Sequence, residues 1–196
     1  MRELLLVGGG HAHVQVLRAL AMRPVAGARI TVVLDRPEAV YSGMVPGFVA
    51  GHYAAHELVI DVRPLARRAG APVGVAAATD VHPVARRRAP ADRPPLGFGG
   101  GSTVAGLALP GVAEPALATR PIGRFASAVE ALLARARARG RCRIAVVGAG
   151  AGGVELALAF RARLAREGVG AAELTLLEGA ARALPASPDR VARRAM

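Results

Sequence analysis

Three glycines carry the clearest chemistry in this chain. Gly148, Gly150 and Gly153 are spaced as G-x-G-x-x-G, a pattern that can hold a diphosphate without any reactive side chain. The first glycine permits a sharp turn, the second lets backbone approach a pyrophosphate, and the third lets a helix lie close to a strand. The anion is then met by unpaired N–H groups at the helix start and by the positive end of the helix dipole. Glu178 ends the next apolar run. A carboxylate there accepts hydrogen bonds from an adenosine ribose and repels a 2′-phosphate, so this half favours NADH over NADPH.

The elements that position these residues follow one another without spacer. Arg143–Val147 is an apolar, β-branched run, Val154–Phe160 has helical character, Gly168 stops that helix, and Glu173–Leu177 reads as a second strand. The start of the chain repeats this order. Glu3–Val7 leads into Gly8, Gly9, Gly10, His11, Ala12 and His13, a helix is marked by Val14, Leu17 and Leu20, and Ile30–Leu34 is a strand ending at Asp35. His13 stands where the third glycine belongs, so by pattern alone this loop is a degraded match. His11 and His13 are not expected to bind metal, because residues two apart on a helix point to different sides and no partner ligand lies nearby.

Composition excludes several classes. With 196 residues and 53% hydrophobic content, the chain is long and apolar enough for a buried core. The net charge of +12 comes from arginine alone, since lysine is absent. These arginines are spread over helix faces and loops with few aromatics between them, which argues against nucleic-acid binding. A single cysteine, Cys142, rules out an internal disulfide and a cysteine-pair redox centre. No basic leader or membrane-length apolar run is visible, so no transmembrane segment is expected.

Between the two loops the signal is uneven. Val40–Tyr53 concentrates both tyrosines with glycines, a proline and a methionine, and reads as a loop able to line a ligand crevice. Ile60–Leu65 suggests an extended piece followed by a helical turn through Arg68. Val73–Ala76 and Asp80–His82 have the character of short strands, whereas Pro90, Pro94, Pro95 and the glycines from Gly97 to Gly101 interrupt every regular pattern. Phe125, Val129, Leu132, Leu133 and Ala136 then mark an amphipathic helix with an arginine-rich, solvated face. Ser187-Pro188-Asp189 opens a last helix that has barely begun at Met196, which suggests a truncated chain.

The paired loops, together with Leu6–Val14, Tyr41–Gly47 and Ile60–Leu65, resemble the FAD/NAD(P)-binding pyridine nucleotide-disulfide oxidoreductase superfamily. Within it, the chain is similar to the branch of type II NADH dehydrogenases and of the oxidoreductase module fused to selenide, water dikinase. The resemblance implies an α/β fold of two Rossmann-like, doubly wound units with parallel sheets, the second incomplete. It assigns an FAD-binding-like first segment to residues 1–110, a connecting segment with the amphipathic helix to 111–140, and the start of an NAD(P)H-binding domain to 141–196.

It further places the FAD diphosphate at Gly8, Gly9, Gly10 and His11, the FAD ribose at Asp35, and the flavin near Tyr41, Ser42, Gly43, Met44 and Pro46. NADH falls to Gly148, Gly150, Gly153 and Glu178. The implied reaction is hydride transfer from NAD(P)H to flavin and onward to a quinone or similar acceptor. No catalytic side chain is singled out, because the cofactors supply the chemistry. The implied location is cytoplasmic, with attachment to the inner face of a membrane as a variant. The competing reading is a non-catalytic dinucleotide-binding fragment.

Overall fold

The β-branched runs near the two glycine loops form strands because each pairs along its whole length with a parallel neighbour. The computed structural model describes residues 2–36, 38–78, 96–99, 104, 106–112 and 116–195. In chain order these contain β1 (Arg2–Val7), α1 (His11–Met22), β2 (Ala28–Leu34), β3 (Glu38–Val40), α2 (Val45–Ala50), β4 (Val59–Asp61), α3 (Val62–Arg68) and β5 (Val73–Val75). There follow β6 (Leu96–Phe98), α4 (Ile122–Arg139), β7 (Arg141–Val147), α5 (Ala151–Arg166), β8 (Ala171–Leu177) and α6 (Asp189–Ala195). The described residues divide into two units, Met1–Tyr41 with Val59–Thr103, and Ser42–Leu58 with Val104–Met196.

In the first unit a four-stranded sheet has the order β5-β2-β1-β6 with all its pairings parallel, and β3 and β4 form a separate antiparallel pair. The order reverses at β1, so the loop after β1 opens where an open α/β sheet has its crevice. Leu6, Ile30, Val32 and Leu34 from the sheet are buried with Leu17 of α1 and with Val62 and Ala66 of α3. Leu17 is fully enclosed. Leu17→Ala is therefore expected to destabilise this unit by about 2–5 kcal/mol, read as a lowered urea midpoint with an unchanged m-value. At the start of α3 the Asp61 carboxylate accepts the Arg63 backbone N–H at 3.0 Å, which caps the helix. The Arg63 guanidinium, bonded to the same carboxylate at 2.8 Å, is the chief reason its pKa lies below the ordinary value.

β6 departs from the reading of the sequence. Gly97 and its neighbours break any strand pattern by propensity, yet Leu96–Phe98 pairs in parallel with Leu5–Val7. Tertiary pairing overrides the weak local preference. Asp80–His82 lies outside the described residues.

In the second unit β7 and β8 pair in parallel in register from Arg141 with Ala171 to Val147 with Leu177, and α5 connects them. α4 buries Ile122, Phe125, Ala126, Val129, Leu133 and Ala136 along one stripe.

The Val40–Tyr53 stretch is mostly not a loop: Ser42–Met44 makes a 3-10 turn and α2 follows, burying Phe48 and Val49. Pro46 suits the first helical turn, and Gly51 at φ 80° ends it in the left-handed region. A side chain at Gly51 would also meet Arg163 of α5, whose guanidinium donates to the Phe48 carbonyl at 3.4 Å. Among the described residues no helix is long and apolar enough to cross a membrane.

Candidate functional site

Both glycine loops sit at the carboxyl end of the first strand of a parallel pair, and their backbones match closely. Gly8 and Gly148 have φ of 95° and 96°, a region open to glycine with little steric cost. Each donates its N–H to the neighbouring strand at 2.8 Å, Gly8 to Val33 and Gly148 to Leu177. Gly10 and Gly150 are then the extended N-caps of α1 and α5, and their carbonyls accept from Val14 at 3.1 Å and Val154 at 3.0 Å. The amides of the first turn of each helix have no partner within their helix and point towards the loop mouth.

The second loop has the form a diphosphate requires. A Cβ on Gly153 would overlap the Gly148 carbonyl oxygen, so α5 approaches the strand as closely as glycine alone allows. At Gly150 the same construction meets nothing within 4 Å. That open face leaves room for an anion to approach the backbone. Glu178 follows β8 and closes the loop: its carboxylate accepts the Ala149 N–H at 2.6 Å and the Ala180 N–H at 3.0 Å.

Ala149, buried, also gives its carbonyl to the Leu184 N–H at 2.7 Å. Leu184 adopts φ 52°, uncommon for a side chain of its size, and packs with Ala149, Val154 and Ala192. Sequence reasoning missed Leu184, because neither its conformation nor its packing leaves a local signature.

These bonds fix the charge of Glu178. The Ala180 N–H, and after it the Ala149 N–H, hold the carboxyl below its ordinary value of 4.5. Because the folded pKa is depressed, the contact contributes stability above the unfolded value and is lost as pH falls through the folded one. The Glu178 carboxylate is accordingly expected to stay ionised from about pH 8 to about pH 5, followed by the carbon-13 shift of its carboxyl group. A titration step within that interval would show that the two amides do not hold it.

In the first loop Gly9 is crowded, with Leu34 and Val62 side chains 3.2 and 3.4 Å from a would-be Cβ. His11 opens α1, exposed, and meets Tyr41 edge to face with ring centroids 6.2 Å apart. Asp35 follows β2, exposed, and pairs with Arg36 at 3.0 Å. Gly8, Gly9, Gly10, His11, Asp35 and Tyr41 thus share the first unit. Ser42, Gly43, Met44 and Pro46 belong to the second, with Gly148, Gly150, Gly153 and Glu178. His13 is buried, and its ring Nδ1 lies 2.7 Å from the Gly8 carbonyl oxygen. Among the described residues no group of histidine, cysteine and carboxylate side chains is arranged to hold a metal.

No family model matches the sequence, and no curated protein does. Solved structures do match in three dimensions. The water-forming NADH oxidase from Lactobacillus brevis, bound to NADH, superposes with a TM-score of 0.60 at 20% identity, over 94% of this chain and 41% of that one. Reduced Bacillus anthracis CoADR-RHD gives 0.67 at 17% identity, over 98% and 35%. Putidaredoxin reductase, in its covalent complex with putidaredoxin, gives 0.61 at 17%, over 99% and 48%.

The chain shares the fold of the corresponding part of these structures. The chain spans less than half the length of each of these structures. In both units a glycine loop sets the amides of a helix start beside a carboxylate that follows the second strand.

Proposed function

We propose that the chain is the N-terminal portion of an FAD-dependent NAD(P)H oxidoreductase, with FAD on the first glycine loop and NADH on the second. The observation that carries this reading is the near-identical backbone of the two loops, each at the carboxyl end of parallel strands. When bound, the cofactors supply hydride transfer from nicotinamide to flavin, which turns NADH into NAD⁺ and reduces the flavin for delivery of two electrons to a quinone or similar acceptor.

The residues of the chain bind and orient. The first turn of α5 presents its amides to the NADH diphosphate, and Glu178 takes the adenosine ribose while disfavouring a 2′-phosphate. At the other loop the start of α1 faces the FAD diphosphate and Asp35 the ribose, with His11 and Tyr41 forming an aromatic edge beside them. Segments 1–110 and 141–196 are the corresponding cofactor-binding regions, joined through 111–140. The share of the neighbours' length covered by this chain supports its being one portion of a longer enzyme. A cytoplasmic location, with attachment to the inner membrane face as a variant, accompanies this reading.

A second reading, a dinucleotide-binding fragment without catalysis, is favoured by one difference between the loops. Glu178 is bonded into its loop, whereas Asp35 is paired with Arg36. The two readings separate in one preparation. Protein reconstituted with FAD and freed of excess is expected to be yellow, and to lose its visible flavin absorbance on anaerobic addition of NADH. Colourless protein that still titrates with NADH would establish the fragment, and protein that binds neither would overturn both.

A further inference from the structure

We infer that His13 is the positioning residue of the first glycine loop, working in an exchange with Gly97 and Gly99: the side-chain space normally surrendered on the helix is surrendered on the adjoining strand instead. The inference deepens the proposed reading of this loop as an FAD site and rests on it for the ligand.

The two loops make the same contact by opposite means. In the second loop the third glycine, Gly153, leaves no room for a side chain beneath the carbonyl of the first, Gly148. In the first loop the corresponding residue is His13, and the corresponding carbonyl, Gly8, lies 2.7 Å from its Nδ1. A carbonyl only accepts, so Nδ1 carries the hydrogen and donates. The imidazole therefore fills the gap that close helix approach removes in the other loop, and a directed hydrogen bond replaces contact.

A buried ring needs space, and β6 and the residue after it provide that space. A Cβ on Gly99 would meet His13 Nδ1 at 2.6 Å, Cε1 at 2.7 Å and Cγ at 2.9 Å. On Gly97 it would meet Leu6 at 2.9 Å and His13 Nε2 at 3.2 Å. Residues two apart along a strand share a face. The Gly-Phe-Gly sequence is thus a smooth floor under the imidazole, with Phe98 turned the other way.

Gly99 is tied into the loop as well. Its carbonyl accepts the Gly10 N–H at 3.2 Å, and its own N–H donates to Val7 at 2.8 Å. Gly8 and Gly10, the turn residue and the helix cap, are consequently held by one ring and one strand end.

The test has two arms. In the unliganded 196-residue chain, His13→Ala and Gly99→Ala are each expected to lower the Tm. The double variant is expected to lie at least about 4 °C above the sum of the two losses, because removal of the ring frees the space the added methyl needs. Additivity within about 1 °C overturns the exchange. Should Gly99→Ala alone fail to fold, recovery of folding on the His13→Ala background supports it, and continued failure together with additivity for Gly97→Ala overturns it.

The second arm reads FAD affinity. His13→Asn retains an N–H donor near the place of Nδ1, and His13→Leu has comparable bulk without one. Asn is expected to stay within about threefold of the parent and Leu to lose about tenfold or more, with both folded by circular dichroism. Equal affinity for Asn and Leu overturns the positioning role. If the parent itself binds no FAD, the reading of the loop as an FAD site fails, while the first arm still decides the exchange.

Discussion

Replacing Gly153 with alanine is expected to abolish NADH binding and to loosen the second unit, whereas replacing Gly150 should abolish binding and leave the fold intact. The difference lies in what each position touches. A methyl at Gly153 would overlap the Gly148 carbonyl oxygen, a backbone atom that cannot swing aside, so α5 must shift away from β7. Overpacking of this kind costs about 1–3 kcal/mol or more, and it moves the amides that face the phosphate.

At Gly150 the backbone, with φ −68° and ψ 177°, suits any residue, and a Cβ has open space. Its Tm should match the parent within about 2 °C, while a ligand that approaches this face is blocked and loses about 100-fold or more in affinity. Gly152→Ala serves as the control. It too meets nothing within 4 Å, and alanine in a helix is favoured over glycine by about 1 kcal/mol, so stability should rise. Calorimetric titration and thermal denaturation of the three variants check the set. Undiminished NADH binding by Gly150→Ala would remove the diphosphate from this loop.

The second large effect is expected at Glu178. Glu178→Ala removes the acceptor for both the Ala149 and Ala180 N–H groups and, on the proposed reading, the ribose acceptor and the charge that repels a 2′-phosphate. NADH affinity should fall about 10- to 100-fold and the preference over NADPH should shrink by a similar factor, since hydrogen bonds to charged groups contribute about 1.5–3 kcal/mol. Glu178→Gln distinguishes these contributions. Its single carbonyl oxygen still accepts one of the two loop amides but carries no charge, so discrimination against NADPH should weaken more than NADH affinity does. Equal binding of the two coenzymes by the parent chain would take Glu178 out of the recognition.

Much of this architecture was legible because its requirements are local. The turn at Gly148, the cap at Gly150 and the close approach at Gly153 are each a property of one residue in one backbone conformation, and the apolar runs on either side declare strand and helix by their own periodicity. The same holds for α4, whose buried stripe repeats at helical spacing. Two stretches were misjudged. α2 was hidden by its glycines and proline, which read as loop until Pro46 falls in a first turn and Gly51 at a helix end. β6 was hidden by the glycines that His13 needs there, although their alternation around Phe98 was a signal of one strand face.

The sequence by itself determined the paired strand–loop–helix–strand–acid units, since glycine spacing, hydrophobic period and a terminal carboxylate are read within a few turns of chain. Only the tertiary structure decided how His13 is accommodated, which amides hold Glu178, how Leu184 supports Ala149, and that Ser42–Met44 belongs with the second unit. Those outcomes depend on residues brought together from distant parts of the chain, where sterics and hydrogen-bond geometry, rather than local preference, select the arrangement.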